Sequence, residues 1–145
     1  MDAGKKILLD LLTGSLRFVV PVYQRRYSWG EEQCRQLWAD IVTVGRHPER
    51  THFTGSIVWM QEGGIGPDGV SRCQLIDGQQ RLTSVTLLLI ALAEYAREHP
   101  ESLRFSSDML IDRGYLVDKY ATGEGRYKLT LSITPEFLRT FGFRP

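Results

Sequence analysis

The stretch Leu75-Ile76-Asp77-Gly78-Gln79-Gln80-Arg81-Leu82-Thr83 decides the fold. Ser71 to Ile76 reads as a strand, Asp77-Gly78 ends it, and the chain passes directly into a helix. That helix runs from Gln79 to Glu98 and is closed by His99-Pro100. Leu82, Val85 and Leu87 to Leu92 make it apolar almost all round, which predicts a central buried element.

Upstream, His52 to Gln61 is rich in Phe, Ile, Val and Trp and reads as a strand. Gly63 to Gly69 is a turn by composition, so the two strands form a hairpin. Ile7, Leu8, Leu11 and Leu12 recur at helical spacing, with Gly14 as a stop. Leu16 to Val22 is an extended segment ending at Pro21, expected near a sheet edge. Ser28 and Glu31 form a capping-box pattern ahead of a helix whose apolar face carries Cys34, Leu37, Trp38, Ile41 and Val42, with Gly45 as its stop. Downstream, residues 101–125 show no definite element, Tyr127 to Ile133 reads as a strand, and Pro135 to Phe141 begins a helix. The chain stops there, which suggests a fragment of a longer protein. The mixture is α+β, with a small mixed sheet packed against helices in one domain over residues 1–145.

The 145 residues carry 18 Lys+Arg against 17 Asp+Glu, with 42% hydrophobic residues. This balance excludes disorder and a wholly basic nucleic-acid coat, so any polyanion site is a local patch. Cys34 and Cys73 are too few for a disulfide scaffold, and a reducing cytoplasm is expected. The longest apolar run, Val85 to Ala93, is too short to span a bilayer, and no signal peptide is visible. His47, His52 and His99 have no zinc-ligand spacing, and Cys34 on its apolar face reads as a core residue. The Gly63 to Gly69 loop is not a Walker loop, since no GxxxxGK[ST] occurs.

Two segments carry chemistry. A helix N-terminus offers free N–H groups and a positive dipole to an anion. At Asp77 to Arg81 a guanidinium fork and two amides stand beside it, Gly78 permits close backbone approach, and Asp77 suits a divalent cation shared with phosphate oxygens. The alternative is that Asp77 and Gln80 are a D-x-x-Q capping pair and Arg81 an exposed first-turn residue. The second segment is Pro21-Val22-Tyr23-Gln24-Arg25-Arg26-Tyr27-Ser28-Trp29, whose arginines and aromatics suit phosphate and base contacts. Its alternative is that Tyr27 and Trp29 are core aromatics and the arginines surface solvators.

Val20 to Trp29, Phe53-Thr54-Gly55-Ser56-Ile57-Val58 and Leu75 to Leu82, in that order and spacing, resemble the DUF262 family, from Leu16 to about Phe141. The resemblance implies a ParB/sulfiredoxin-like domain at the N-terminus of GmrSD-type modification-dependent restriction and phage-defence proteins, with a downstream His-Asn-His nuclease domain absent from these residues. It implies nucleotide-phosphate binding by Asp77, Gly78, Gln79, Gln80, Arg81 and Thr83, with Asp77 and Arg81 catalytic and Asp77 beside the Mg²⁺ of a nucleoside triphosphate. Tyr23, Gln24, Arg25, Arg26 and Tyr27 would complete the pocket or contact DNA, possibly modified DNA.

The expectation is therefore an NTP-binding, NTP-hydrolysing regulatory domain of a DNA-restriction protein. The alternatives are a non-catalytic DNA-sensing module and a domain that is itself a ParB-like nuclease. For a base that activates water, only Glu62 and Asp68 near the hairpin turn are candidates.

Overall fold

The computed structural model describes residues 4, 6–14, 16–21, 27–47, 49–64, 71–101, 114–117 and 127–131. Tyr23, Gln24, Arg25 and Arg26, Asp68, and the helix start expected at Pro135 lie outside the described residues.

The elements are α1 (Leu8–Thr13), β1 (Leu16–Val20), α2 (Glu31–Arg46), β2 (Val58–Gln61), β3 (Ser71–Asp77), α3 (Gln79–Glu98) and β4 (Leu129–Leu131). The four strands form one mixed sheet in the order β2-β3-β1-β4. β1 runs parallel to both β3 and β4, and β2 pairs antiparallel with β3 as the hairpin requires. This is an α+β domain.

β1 is interior, not an edge strand as expected. Pro21 stands one residue past its end, so the missing N–H breaks no ladder bond. Phe18 and Val20 on β1 meet Cys73 and Leu75 on β3, Leu11 and Leu12 on α1, and Leu82, Val85 and Leu89 on α3 in a single apolar core. Trp59 closes that core from β2, its ring edge-on to Phe18 at 5.7 Å. Lys128 is buried just before β4. Its Nζ donates to the Gly14 carbonyl at 2.6 Å, and Phe18 N–H donates to the Lys128 carbonyl at 2.9 Å. One residue thus fastens the end of α1, β1 and the start of β4.

The hairpin's first strand is shorter than expected. Residues 51–57 are irregular because Gly55, at φ +102°, leaves the extended region that a ladder needs. α3 has the expected bounds but buries one side only, with Leu87 and Tyr95 exposed.

α2 departs further. None of its residues is buried; Cys34, Trp38 and Ile41 are exposed, and Leu37 alone of the helix packs against the core. Helical periodicity defines an apolar face without specifying what covers it. The Ser28–Glu31 capping box does not form either. The helix starts one residue after Gly30, whose N–H donates to Gln33 Oε1 at 3.0 Å, and Ser28 is engaged elsewhere.

Candidate functional site

β3 alternates buried and half-buried through Leu75, and its last two residues, Ile76 and Asp77, are exposed. The strand therefore leaves the core at the carboxyl end of a parallel pair, where α/β sheets characteristically bind ligands. Gly78 then turns the chain at φ +84°, in the left-handed region. A Cβ at this position would stand 2.7 Å from the Ser56 carbonyl oxygen and 3.1 Å from Ile57 Cα, so the close passage of the 55–57 segment demands glycine.

The capping alternative fails on geometry. Asp77 Oδ1 accepts from Gly78 N–H at 2.7 Å, α3 has no side-chain cap, and the first helical bond runs from Leu82 N–H to the Gly78 carbonyl at 3.0 Å. The first-turn N–H groups of Gln79, Gln80 and Arg81 precede that bond at the electropositive end of a 20-residue helix.

Arg81 is half-buried, not the free surface residue of the alternative reading. Its Nη1 donates to the Ser56 carbonyl at 2.9 Å. A Cβ on Gly55 would stand 2.4 Å from the guanidinium carbon, so the group lies directly on the glycine backbone. This seat accounts for two glycines at once. Gly55 admits the guanidinium, and Gly78 admits the segment that holds it.

Gln80 is buried, and its Oε1 accepts from Ser28 N–H at 2.8 Å. Ser84 Oγ donates to the Gln80 carbonyl at 2.8 Å, so its single proton is committed there and Tyr27 donates its phenol to Ser84 Oγ, also at 2.8 Å. Burial raises the Tyr27 phenol above its ordinary pKa, and Cys34, 3.7 Å away, adds to the rise. Tyr27 is consequently a clamp between the aromatic segment and α3. Thr83 is buried within α3 and does not line the cleft described next.

The residues from Ile76 to Arg81, with Ser56 and Trp29, line a cleft of about 480 Å³, a size ordinary for small-molecule sites. Asp77 is the one carboxylate in that lining, and among the described residues no group of three or more His, Cys, Asp or Glu is placed to hold a metal. Such a donor set suits Mg²⁺, which needs one or two carboxylates plus phosphate oxygens, and not zinc. Glu62 is removed as a water-activating base. It follows β2 at the far end of the hairpin, where its N–H bonds the Arg72 carbonyl and its carboxylate takes the Gln74 amide. Along β3, Arg72 lies five residues before Asp77, about 16 Å of strand.

No helix among the described residues is long and apolar enough to cross a membrane. No curated protein matches the chain. Residues 8–139 match the family model for the GmrSD restriction endonuclease, N-terminal domain, and with nearly the whole chain covered, this protein belongs to that restriction-protein family.

Proposed function

We propose that this domain binds a nucleoside triphosphate with Mg²⁺ at the β3–α3 turn, hydrolyses it, and so regulates cleavage of modified DNA by a His-Asn-His nuclease domain of the same restriction protein in the cytoplasm. The observation that carries the reading is the seat of Arg81. A guanidinium seated against Gly55 and bonded to Ser56, beside the N-terminus of α3, offers a fork to a phosphate chain at the positive end of the helix dipole.

The chain's own residues divide the work. The first-turn N–H groups hold the phosphates, Gly78 lets them approach the backbone, and Arg81 stabilises charge on the transferred phosphoryl group. Asp77, exposed at the cleft, would share the metal with phosphate oxygens; when bound, Mg²⁺ neutralises developing charge on those oxygens. Gln80 acts on the fold of the site through Ser28.

Thermal melting with ATP, GTP and CTP, each with and without Mg²⁺, tests the reading. A ligand at a hundred times its Kd stabilises the folded state by about 2.7 kcal/mol. A Mg²⁺-dependent rise with a triphosphate, lost in Arg81→Ala and Arg81→Lys, is the expected result. No rise with any triphosphate, or an undiminished rise in Arg81→Ala, overturns it.

A further inference from the structure

The cleft has two chemically different parts. The turn at Gly78 and Arg81 is built for phosphate, whereas Ile76, 44% exposed, and the half-buried indole of Trp29 are apolar. Trp29 has no place in the hydrophobic core, which takes Trp59 instead. An aromatic residue outside the core that lines a cleft needs a reason.

Hydrogen bonds of its neighbours hold the backbone on either side of Trp29. Tyr27 is tied to Ser84 and Ser28 to Gln80, both on α3. On the other side Gly30 N–H is tied to Gln33, and α2 begins at Glu31. Trp29 is thus the one residue of this segment left between two fastened neighbours, and the fastening is to the same helix whose N-terminus faces the cleft. Its backbone is therefore tethered to the helix that carries the phosphate turn, and an aromatic placed in this way loses less freedom on binding than one on an untethered loop.

We infer that Trp29 is the base-stacking wall of this cleft, with Ile76 beside it, and that the two select a nucleotide over a bare phosphate chain. The inference rests on the phosphate reading above. A base offers a π-face to an indole, and such stacking is tolerant of which base it is. Discrimination between bases then comes from other groups, while Trp29 supplies affinity common to all.

The experiment compares ATP, GTP and CTP with inorganic tripolyphosphate, by titration with Mg²⁺ present, in the wild type, Trp29→Ala and Trp29→Phe. For the nucleotide that binds wild type best, Trp29→Ala should weaken binding by about ten- to a hundred-fold, with Trp29→Phe retaining most of the affinity. Tripolyphosphate binding should be unchanged in both variants. Equal loss for nucleotide and tripolyphosphate, or no loss for either, overturns the inference while the phosphate site stands. Binding of neither ligand by the wild type overturns the phosphate reading itself. Should Trp29→Ala fail to fold, indole fluorescence decides. In a Trp38→Phe protein the nucleotide should quench emission and tripolyphosphate should not, with the quench lost on adding Trp29→Phe; a quench that survives that change refutes the stacking role.

Discussion

Gln80 Oε1 accepts a hydrogen bond from the backbone N–H of Ser28 at 2.8 Å, joining the first turn of α3 to a segment 52 residues earlier. The amide is buried and its oxygen is committed to Ser28. Replacing it tests position rather than contact. Gln80→Ala should destabilise the domain by about 1 kcal/mol, the usual net contribution of one such bond. It should also weaken nucleotide binding, because Ser28 and Trp29 lose their tether. Gln80→Glu, which keeps an acceptor at the same place, should restore part of both. Denaturant unfolding beside nucleotide titration checks this; a full loss of binding with unchanged stability in both variants would make Gln80 a direct ligand instead.

The two glycines of the cleft should respond differently to alanine. At Gly78 the new Cβ meets backbone, the Ser56 carbonyl at 2.7 Å, in a left-handed conformation that alone costs about 1–2 kcal/mol. Gly78→Ala is therefore expected to destabilise by about 2 kcal/mol or more. At Gly55 the obstacle is the end of a side chain, the Arg81 guanidinium, which can swing away. Gly55→Ala carries the same left-handed strain but should spend its main effect on triphosphate affinity, lowering it about as far as Arg81→Ala does. Melting temperatures paired with binding constants for both variants separate the two cases.

Tyr27 gives a pH signature. Its phenol is held protonated above the usual value near 10 by burial, with Cys34 adding to the effect. A raised folded-state pKa means that the protonated phenol favours the folded state. The associated stability is complete below pH 10 and is lost as pH rises from there through the folded pKa. Ultraviolet difference titration should show one tyrosine ionising late, absent in Tyr27→Phe, and unfolding free energies should fall less steeply above pH 10 in that variant.

The cysteines should label in sequence. Cys34 is exposed on α2, whereas Cys73 has no accessible surface and its thiol is pushed up by burial and further by the Glu62 carboxylate. The thiolate is the reactive species. Iodoacetamide near neutral pH should therefore modify Cys34 in the folded protein and Cys73 only in denaturant; mass spectrometry after proteolysis assigns the sites.

What is legible in the sequence is local. Asp77-Gly78 and His99-Pro100 bracket α3 because turn chemistry is written in adjacent residues, and the glycine-rich segment announces the hairpin. The interior position of β1 is invisible, since its second neighbour is β4, far along the chain, and nothing near Phe18 encodes that pairing. The spacing of Asp77 and Gln80 is compatible with a cap, and only the arrival of Ser28 shows where the amide oxygen goes. The motif containing Gly55 was visible, but the reason for its glycine is Arg81, 26 positions later. The apolar face of α2 is legible in its spacing but its exposure is not, since amphipathicity carries no address.

The place of β1 in the sheet has a consequence for how the protein is made. Val20 pairs with Leu131, over a hundred residues later, and the buried Lys128 that fastens α1 arrives at the same time. A ribosome adding about 5–20 residues per second takes roughly 5–20 s to travel that distance. Throughout that interval one side of β1 stays unsatisfied while its apolar face, Phe18 and Val20, is already synthesised. The nascent chain therefore presents an unpaired strand edge until β4 emerges, and truncation before Leu129 removes the strand that covers it.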